Sequence, residues 1–218
     1  MSYPVLLHLD GRQAVVVGGG QVAVRKVTDL LAAGAHVAVI SPAITALLQR
    51  LVDEGRVNWH KADYATALLH ELRPFLVIAA TDSAVVNAQV IADAHDLGVL
   101  VSAIDNIPGS DYSSMAAVRR GKITVAAATD GASPALAAHL RRRLELLIGD
   151  EYEIVADWLA ELRPVVQKHI PSPEARRILW ESILDSPILD HLRQGDEWAA
   201  RREIDCLLAE AGVGETVS

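Results

Sequence analysis

Val15-Val16-Val17-Gly18-Gly19-Gly20-Gln21-Val22-Ala23-Val24-Arg25-Lys26 joins three β-branched apolar residues to three glycines and then to residues of helical character. The apolar run has the character of a strand covered on both faces, and the glycines mark a tight turn into a helix. Gly18 is expected to permit the turn and Gly20 to let the backbone approach a pyrophosphate. Ala23, where a third glycine is common, is expected to let the helix lie close to the sheet. The first N–H groups of that helix, with Gln21 and Val22 leading, would face the phosphates, because unpaired donors and the helix dipole favour negative charge. The expected ligand is therefore a dinucleotide.

A glycine turn alone is weak, and its surroundings strengthen it. Val27, Leu30 and Leu31 continue one apolar helical face, Gly34 is a natural stop, and Val37-Ala38-Val39-Ile40 reads as a second buried strand. No Asp or Glu ends that strand; Ser41-Pro42-Ala43 stands there instead. Hydroxyl or backbone groups would then have to hold the ribose, and this position does not choose between NAD and NADP.

The rest of the chain extends an α/β pattern. Val5 to Leu9, followed by Asp10-Gly11, has the alternation of a short edge strand, with His8 in a structural role. A helix is expected from Ala43 to Glu54 and a third strand at Val57 to His60. Pro74 to Asp82 reads as a fourth strand that ends on polar Thr81 and Asp82. Ser83 caps a helix to His95, and Val99 to Ile104 forms a fifth strand ending on Asp105, which is expected beside the glycine turn of the first strand. Beyond Gly109 the pattern changes. Ala116 to Val118 and Ile123 to Ala126 read as a hairpin, and Ser133-Pro134 opens a helix with Leu136, Leu140, Leu144 and Leu147 in a stripe ended by Gly149. Helices stopping at Pro164 and Pro187, and one from Asp196 to Ala211, complete the reading. The fold class is an α/β Rossmann-like parallel sheet over residues 1–113, then a small α+β dimerisation segment over 114–149 and a C-terminal helical region over 150–218.

Among the 218 residues, 51% are hydrophobic and 22% charged, which excludes a disordered chain. No apolar run reaches membrane-spanning length and no leader is visible. A single cysteine, Cys206, forbids an intrachain disulfide, so a cytoplasmic location is expected. A net charge of −8 with 4% aromatic residues argues against nucleic acid. Eight scattered histidines and no Cys/His cluster leave no preformed metal site in view. Between Val118 and Arg143, however, Arg119, Arg120, Lys122 and Arg141 to Arg143 face only Asp130. That stretch is either a solvated face or a landing site for an anionic small molecule.

Gly18-Gly19-Gly20-Gln21-Val22-Ala23-Val24-Arg25-Lys26, Ala79-Ala80-Thr81-Asp82 with Asn87, Ile104-Asp105 and Gly131-Ala132-Ser133-Pro134, in this order, closely resemble the precorrin-2 dehydrogenase family of sirohaem synthesis. The resemblance covers nearly the whole chain. With no segment left after the helices for the methyltransferase domain fused to some relatives, the stand-alone form is expected. The resemblance implies oxidation of precorrin-2 to sirohydrochlorin with NAD accepting the hydride, in some members insertion of ferrous iron to give sirohaem, and a homodimer joined through the middle segment. It places the catalytic aspartate on Asp105 and cofactor contacts on Gly18, Gly20, Gln21, Val22, Pro42 and Ala43, to which Ser41 and Thr81 are added here. Arg119, Arg120 and Ser133 are the expected contacts for the carboxylate-rich tetrapyrrole. Ser102, where asparagine is frequent, and Thr129-Asp130, where Ser-Gly is common, depart from the family pattern. The alternative from another class is a domain that senses NAD without catalysis, which would need neither Asp105 nor the basic stretch.

Overall fold

The computed structural model describes residues 2–104 and 109–214. It divides into two units, Met1–Ser114 and Met115–Ser218.

In the first unit five strands, β1 (Gln13–Val17), β2 (His36–Ile40), β3 (Val57–His60), β4 (Leu76–Ala79) and β5 (Leu100–Ala103), form one sheet in the order β3-β2-β1-β4-β5. Every pairing is parallel, with Val16 level with Val39 on one side and with Ile78 on the other. Successive side chains of β1 therefore enter different cores. Val16 packs with Ala23, Val24 and Val27 of α1 (Gln21–Ala32), whereas Val15 and Val17 pack with Val90 and Ala94 of α4 (Ala84–Leu97). All three valines of β1 are at most 1% exposed, so each contributes about 1.5–3 kcal/mol of burial.

Two shorter helices cross between strands, α2 (Ala46–Asp53), capped by Thr45, and α3 (Thr66–Leu72). The sequence reading assigned no element at α3, whose N-cap, Ala65, supplies no capping side chain. Tertiary contacts hold it instead: Leu69 is fully buried, and the Thr66 hydroxyl donates to Asp93 of α4 at 2.8 Å. Val5 to Leu9, expected as an edge strand, is not a strand. This segment leads into the central strand, both of whose edges are already paired; Leu9 and Leu7 anchor it by packing, and the Leu9 carbonyl accepts from the Arg12 N–H at 2.9 Å.

The second unit opens with an antiparallel hairpin, β6 (Ala116–Arg120) and β7 (Ile123–Ala127), followed by α5 (Pro134–Leu147), α6 (Glu151–His169), α7 (Pro173–Asp185), α8 (Ile188–Arg193) and α9 (Glu197–Glu210). The expected stop at Pro164 does not occur; α6 runs through it. A proline inside a helix costs about 3 kcal/mol. Burial of Leu162 and Val166 on either side, against Leu179, Ile183 and Ile204, offsets that loss. Helix α5 buries none of its residues within the chain, and Leu136, Leu146 and Leu147 are exposed.

Candidate functional site

The turn between β1 and α1 is held by contacts that the glycines alone allow. Gly18 has φ +121°, donates its N–H to the Ile40 carbonyl at 2.9 Å, and lies so close to Ala80 that a Cβ would fall 2.7 Å from the Ala80 carbonyl carbon. A Cβ on Gly19 would collide with the Ala43 carbonyl and sit 2.9 Å from the Ser41 Oγ. Gly20 differs from both, since nothing lies within 4 Å of where its Cβ would be. Close packing against the protein is thus the work of Gly18 and of Gly19, to which sequence reasoning gave no role. The signal for Gly19 was the unbroken triple glycine itself.

Gly20 is the N-cap of α1, and no side chain caps that helix. Helical bonding begins with the Val24 N–H to the Gly20 carbonyl at 3.1 Å. The N–H groups of Gln21, Val22 and Ala23 have no partner among the described residues, and the first turn contains no acid. Three free donors at a positive helix end, beside the open space over Gly20, fit the pyrophosphate of a dinucleotide.

The loop after β2 is closed on itself. The Ser41 hydroxyl donates to the Ala43 carbonyl at 2.7 Å, the Trp59 indole N–H donates to the Ser41 carbonyl at 2.9 Å, and the Thr45 N–H reaches the Gly19 carbonyl at 3.1 Å. Ser41 is buried, whereas Pro42 and Ala43 are exposed at the rim. At the end of β4, Thr81 is locked in a similar way. Its hydroxyl donates to the Asn87 Oδ1 at 2.7 Å and accepts from the Ser83 N–H, while the Asn87 amide donates to the Thr81 carbonyl at 3.1 Å. Ser83 caps α4 as expected. Ser41 and Thr81 therefore shape the rim with their hydroxyl protons already committed.

Asp105 lies outside the described residues. The sheet order nonetheless corrects one expectation about its strand: β4 stands between β1 and β5, so β5 is two strand spacings, about 10 Å, from the glycine strand rather than beside it. After β5 the chain returns along the sheet edge. The Val101 N–H donates to an Asp111 carboxylate oxygen at 2.9 Å and the Ala103 N–H to the Ser110 Oγ at 2.9 Å, which supplies β5 with side-chain partners where a sixth strand would otherwise pair. Tyr112 packs on the core beneath α1; its buried hydroxyl has no partner among the described residues, and burial pushes its pKa up. Next along this strap, Ser114 accepts a hydrogen bond from Lys26 of α1 at 2.8 Å. Burial lowers the Lys26 pKa, as does neighbouring Arg25, and Asp29 opposes them.

In the second unit the basic stretch separates into two groups. Arg120 pairs with Asp150 at 3.0 Å, Lys122 with Asp157 at 2.8 Å and Arg141 with Glu145 at 2.9 Å. Arg119, Arg142 and Arg143 are exposed and make no ion pair among the described residues. The acids that neutralise the hairpin turn come from α6, beyond the window in which the charge was counted. Ser133 caps α5, its hydroxyl accepting from the Leu136 N–H at 3.2 Å.

Comparison with known proteins gives two family matches. Residues 5–116 match the family described as putative NAD(P)-binding, and residues 151–208 match the sirohaem synthase dimerisation region. The siroheme synthase of Chromobacterium violaceum is 40% identical over 210 residues, covering 96% of this chain and 44% of that protein. That of Nitrosococcus oceani is 38% identical over 216 residues, covering 99% of this chain and 46% of the relative. The chain thus spans less than half the length of these relatives. Among solved structures, SirC, precorrin-2 dehydrogenase, superposes with a TM-score of 0.73 at 24% identity over 94% of this chain and all of that one, which supports the fold.

Proposed function

Because this chain belongs to the putative NAD(P)-binding family and carries the sirohaem synthase dimerisation region, we propose that it oxidises precorrin-2 to sirohydrochlorin with NAD as hydride acceptor. The observation that carries the reading is the uncapped start of α1, where three unpartnered N–H groups meet the open face of Gly20 in a chain that also has the sirohaem dimerisation region.

The residues divide the work. Gly18 and Gly19 bring the turn against Ala80 and Ala43, the N–H groups of Gln21, Val22 and Ala23 hold the pyrophosphate, and Pro42 and Ala43 flank the ribose. NAD, when bound, supplies the hydride acceptor. Each oxidation removes a hydride from one carbon of the macrocycle and a proton from a neighbouring position, so a base is needed for the proton. Asp105 is our assignment for that base. Arg119, unpaired among the described residues, is a better candidate than Arg120 for a carboxylate of the substrate, since Arg120 already serves Asp150. Helix α5, with exposed Leu136, Leu146 and Leu147 and no residue buried within its own chain, is the face we assign to a homodimer.

The deciding experiment is anaerobic incubation of the purified protein with precorrin-2 and NAD. The reading requires NADH and sirohydrochlorin to appear in equal amounts; NAD binding without either product would make the protein a sensor. Light scattering tests the dimer, which a monomer at micromolar concentration would refute.

A further inference from the structure

A lysine without a counter-ion stands out on the first helix after the glycine turn. Lys26 is four residues beyond Val22, so the two lie on one face of α1, about one helical turn apart. The glycine turn lies N-terminal to Lys26 on the same helix. Lys26 is half-buried, yet no carboxylate bonds to it among the described residues. Its hydrogen-bond partner is the Ser114 hydroxyl at 2.8 Å, while Asp29 acts on it only through space.

Such an arrangement is electrostatically incomplete. Ser114 is exposed and Lys26 partly so, and a partly desolvated ammonium gains less from a neutral hydroxyl than from a carboxylate. Accepting from Lys26 also fixes the Ser114 oxygen and leaves the hydroxyl proton to point elsewhere, and the ammonium retains two further protons. The pair therefore offers three donor protons, two on the ammonium and one on the hydroxyl. Its chemistry calls for an anionic acceptor, and a carboxylate, with two oxygens, can take one hydrogen bond from each member.

We propose that Lys26 and Ser114 together bind a carboxylate of the substrate. The inference rests on the precorrin-2 reading and adds to it a contact outside the basic stretch of residues 119–143. It also accounts for why a lysine is held beside the cofactor turn: the incoming carboxylate supplies the missing counter-ion. A phosphate of the cofactor has similar acceptor chemistry, so the test must separate the two.

Three substitutions are compared with the parent: Lys26→Met removes the charge, Lys26→Arg keeps it, and Ser114→Ala removes the hydroxyl. Each is assayed by titration with sirohydrochlorin, by NADH formation at varied precorrin-2, and by calorimetry with NAD. For Lys26→Met we expect the sirohydrochlorin Kd and the precorrin-2 KM to rise about tenfold, the loss of one charge-assisted hydrogen bond, with kcat within about twofold of the parent and NAD affinity unchanged. Lys26→Arg should restore most of the affinity, and Ser114→Ala should lose about threefold. Unchanged Kd and KM in Lys26→Met would reduce the pair to a structural tie. Weakened NAD binding with an unchanged KM would assign the anion to the cofactor. Either result overturns the proposal, as would a Lys26→Met protein whose lost affinity is not restored by arginine. If the parent itself neither oxidises precorrin-2 nor binds sirohydrochlorin, the proposed function fails and this contact falls with it; failure confined to the variants leaves that function standing.

Discussion

The three glycines at the end of β1 should respond to substitution in different ways, and the contrast tests the cofactor turn directly. At Gly19 a Cβ would collide with the Ala43 carbonyl and lie 3.0 Å from its carbon, so backbone on both sides must move. Overpacking of this kind costs about 1–3 kcal/mol. For a chain of this size each kcal/mol lowers the unfolding midpoint by about 2–4 °C, so Gly19→Ala should melt roughly 2–12 °C below the parent. Gly20 adopts φ −83° and ψ −171°, which any residue can take, and its Cβ position is open. Gly20→Val should therefore fold with a midpoint within about 3 °C of the parent, allowing for valine being a poor N-cap at up to about 1 kcal/mol. Its branched side chain would nevertheless fill the approach to the free N–H groups of α1. NAD affinity should fall at least tenfold, about 1.4 kcal/mol. Differential scanning fluorimetry reads the first quantity and calorimetry the second. If Gly20→Val bound NAD as the parent does, the pyrophosphate would not lie where we place it. If Gly19→Ala were as stable as the parent, the packing of the turn against the β2 loop would be wrong.

Three further outcomes are expected. Asp105→Ala and Asp105→Asn should lower NADH formation by about 10²–10⁴ while calorimetric NAD binding persists; near-parental rates would move the base elsewhere. Arg119→Gln should raise the precorrin-2 KM and weaken its salt dependence at unchanged stability, whereas Arg120→Gln should act through the lost Asp150 pair, lowering the melting temperature more than it changes KM; equal KM effects would refute the division. Asp93 accepts from Tyr64 at 2.7 Å, Thr66 at 2.8 Å and Gln89 at 2.8 Å. Burial pushes its carboxyl up, but these hydrogen bonds outweigh burial and hold its pKa below the ordinary 3.8. Its contribution to stability is therefore present above about pH 4 and lost as pH falls through the lower folded-state value. Asp93→Asn should cost about 1–3 kcal/mol at pH 7 and converge on the parent in acid; a gap that is constant with pH would refute the linkage.

The parallel sheet was legible because β1, β2 and β4 each hold an unbroken apolar run and the helices that follow them start at Gly20, Thr45 and Ser83. The cap at Ser83 and the Ser133-Pro134 opening fall where sequence placed them. The failures share a cause. Val5 to Leu9 has strand composition but leads into a strand already paired on both sides, α3 has no cap but a buried Leu69 and an Asp93 across the chain, and Pro164 is tolerated because its neighbours are buried. In all three, contacts distant in sequence override the local signal. At the site, the space beside Gly20 is open where sequence expected a close approach, whereas the packing of Gly19 was not legible, since Ala43 meets it from 24 residues away. What the basic stretch has free was not legible for the same reason: Asp150 and Asp157 follow it in sequence and pair with Arg120 and Lys122 in space.

That partial neutralisation bears on how a chain of net charge −8 would hold the polycarboxylate we propose as its substrate. Long-range attraction cannot do it, because the overall field repels an anion and physiological salt screens it beyond about 8 Å. Recognition then has to come from short contacts, and only cations not already spent on neighbouring acids can make them. Arg120, Lys122 and Arg141 are spent, whereas Arg119 is not, and Lys26 has its hydroxyl partner but no acid. Lys26 is the better desolvated of these two. Partly buried contacts are screened less than fully exposed ones, so raising ionic strength should weaken the proposed Arg119 contribution to substrate binding more than the proposed contribution of Lys26. A count of basic residues along the sequence does not show which of them are available: charge is counted by sequence, whereas availability is decided by what each cation already touches.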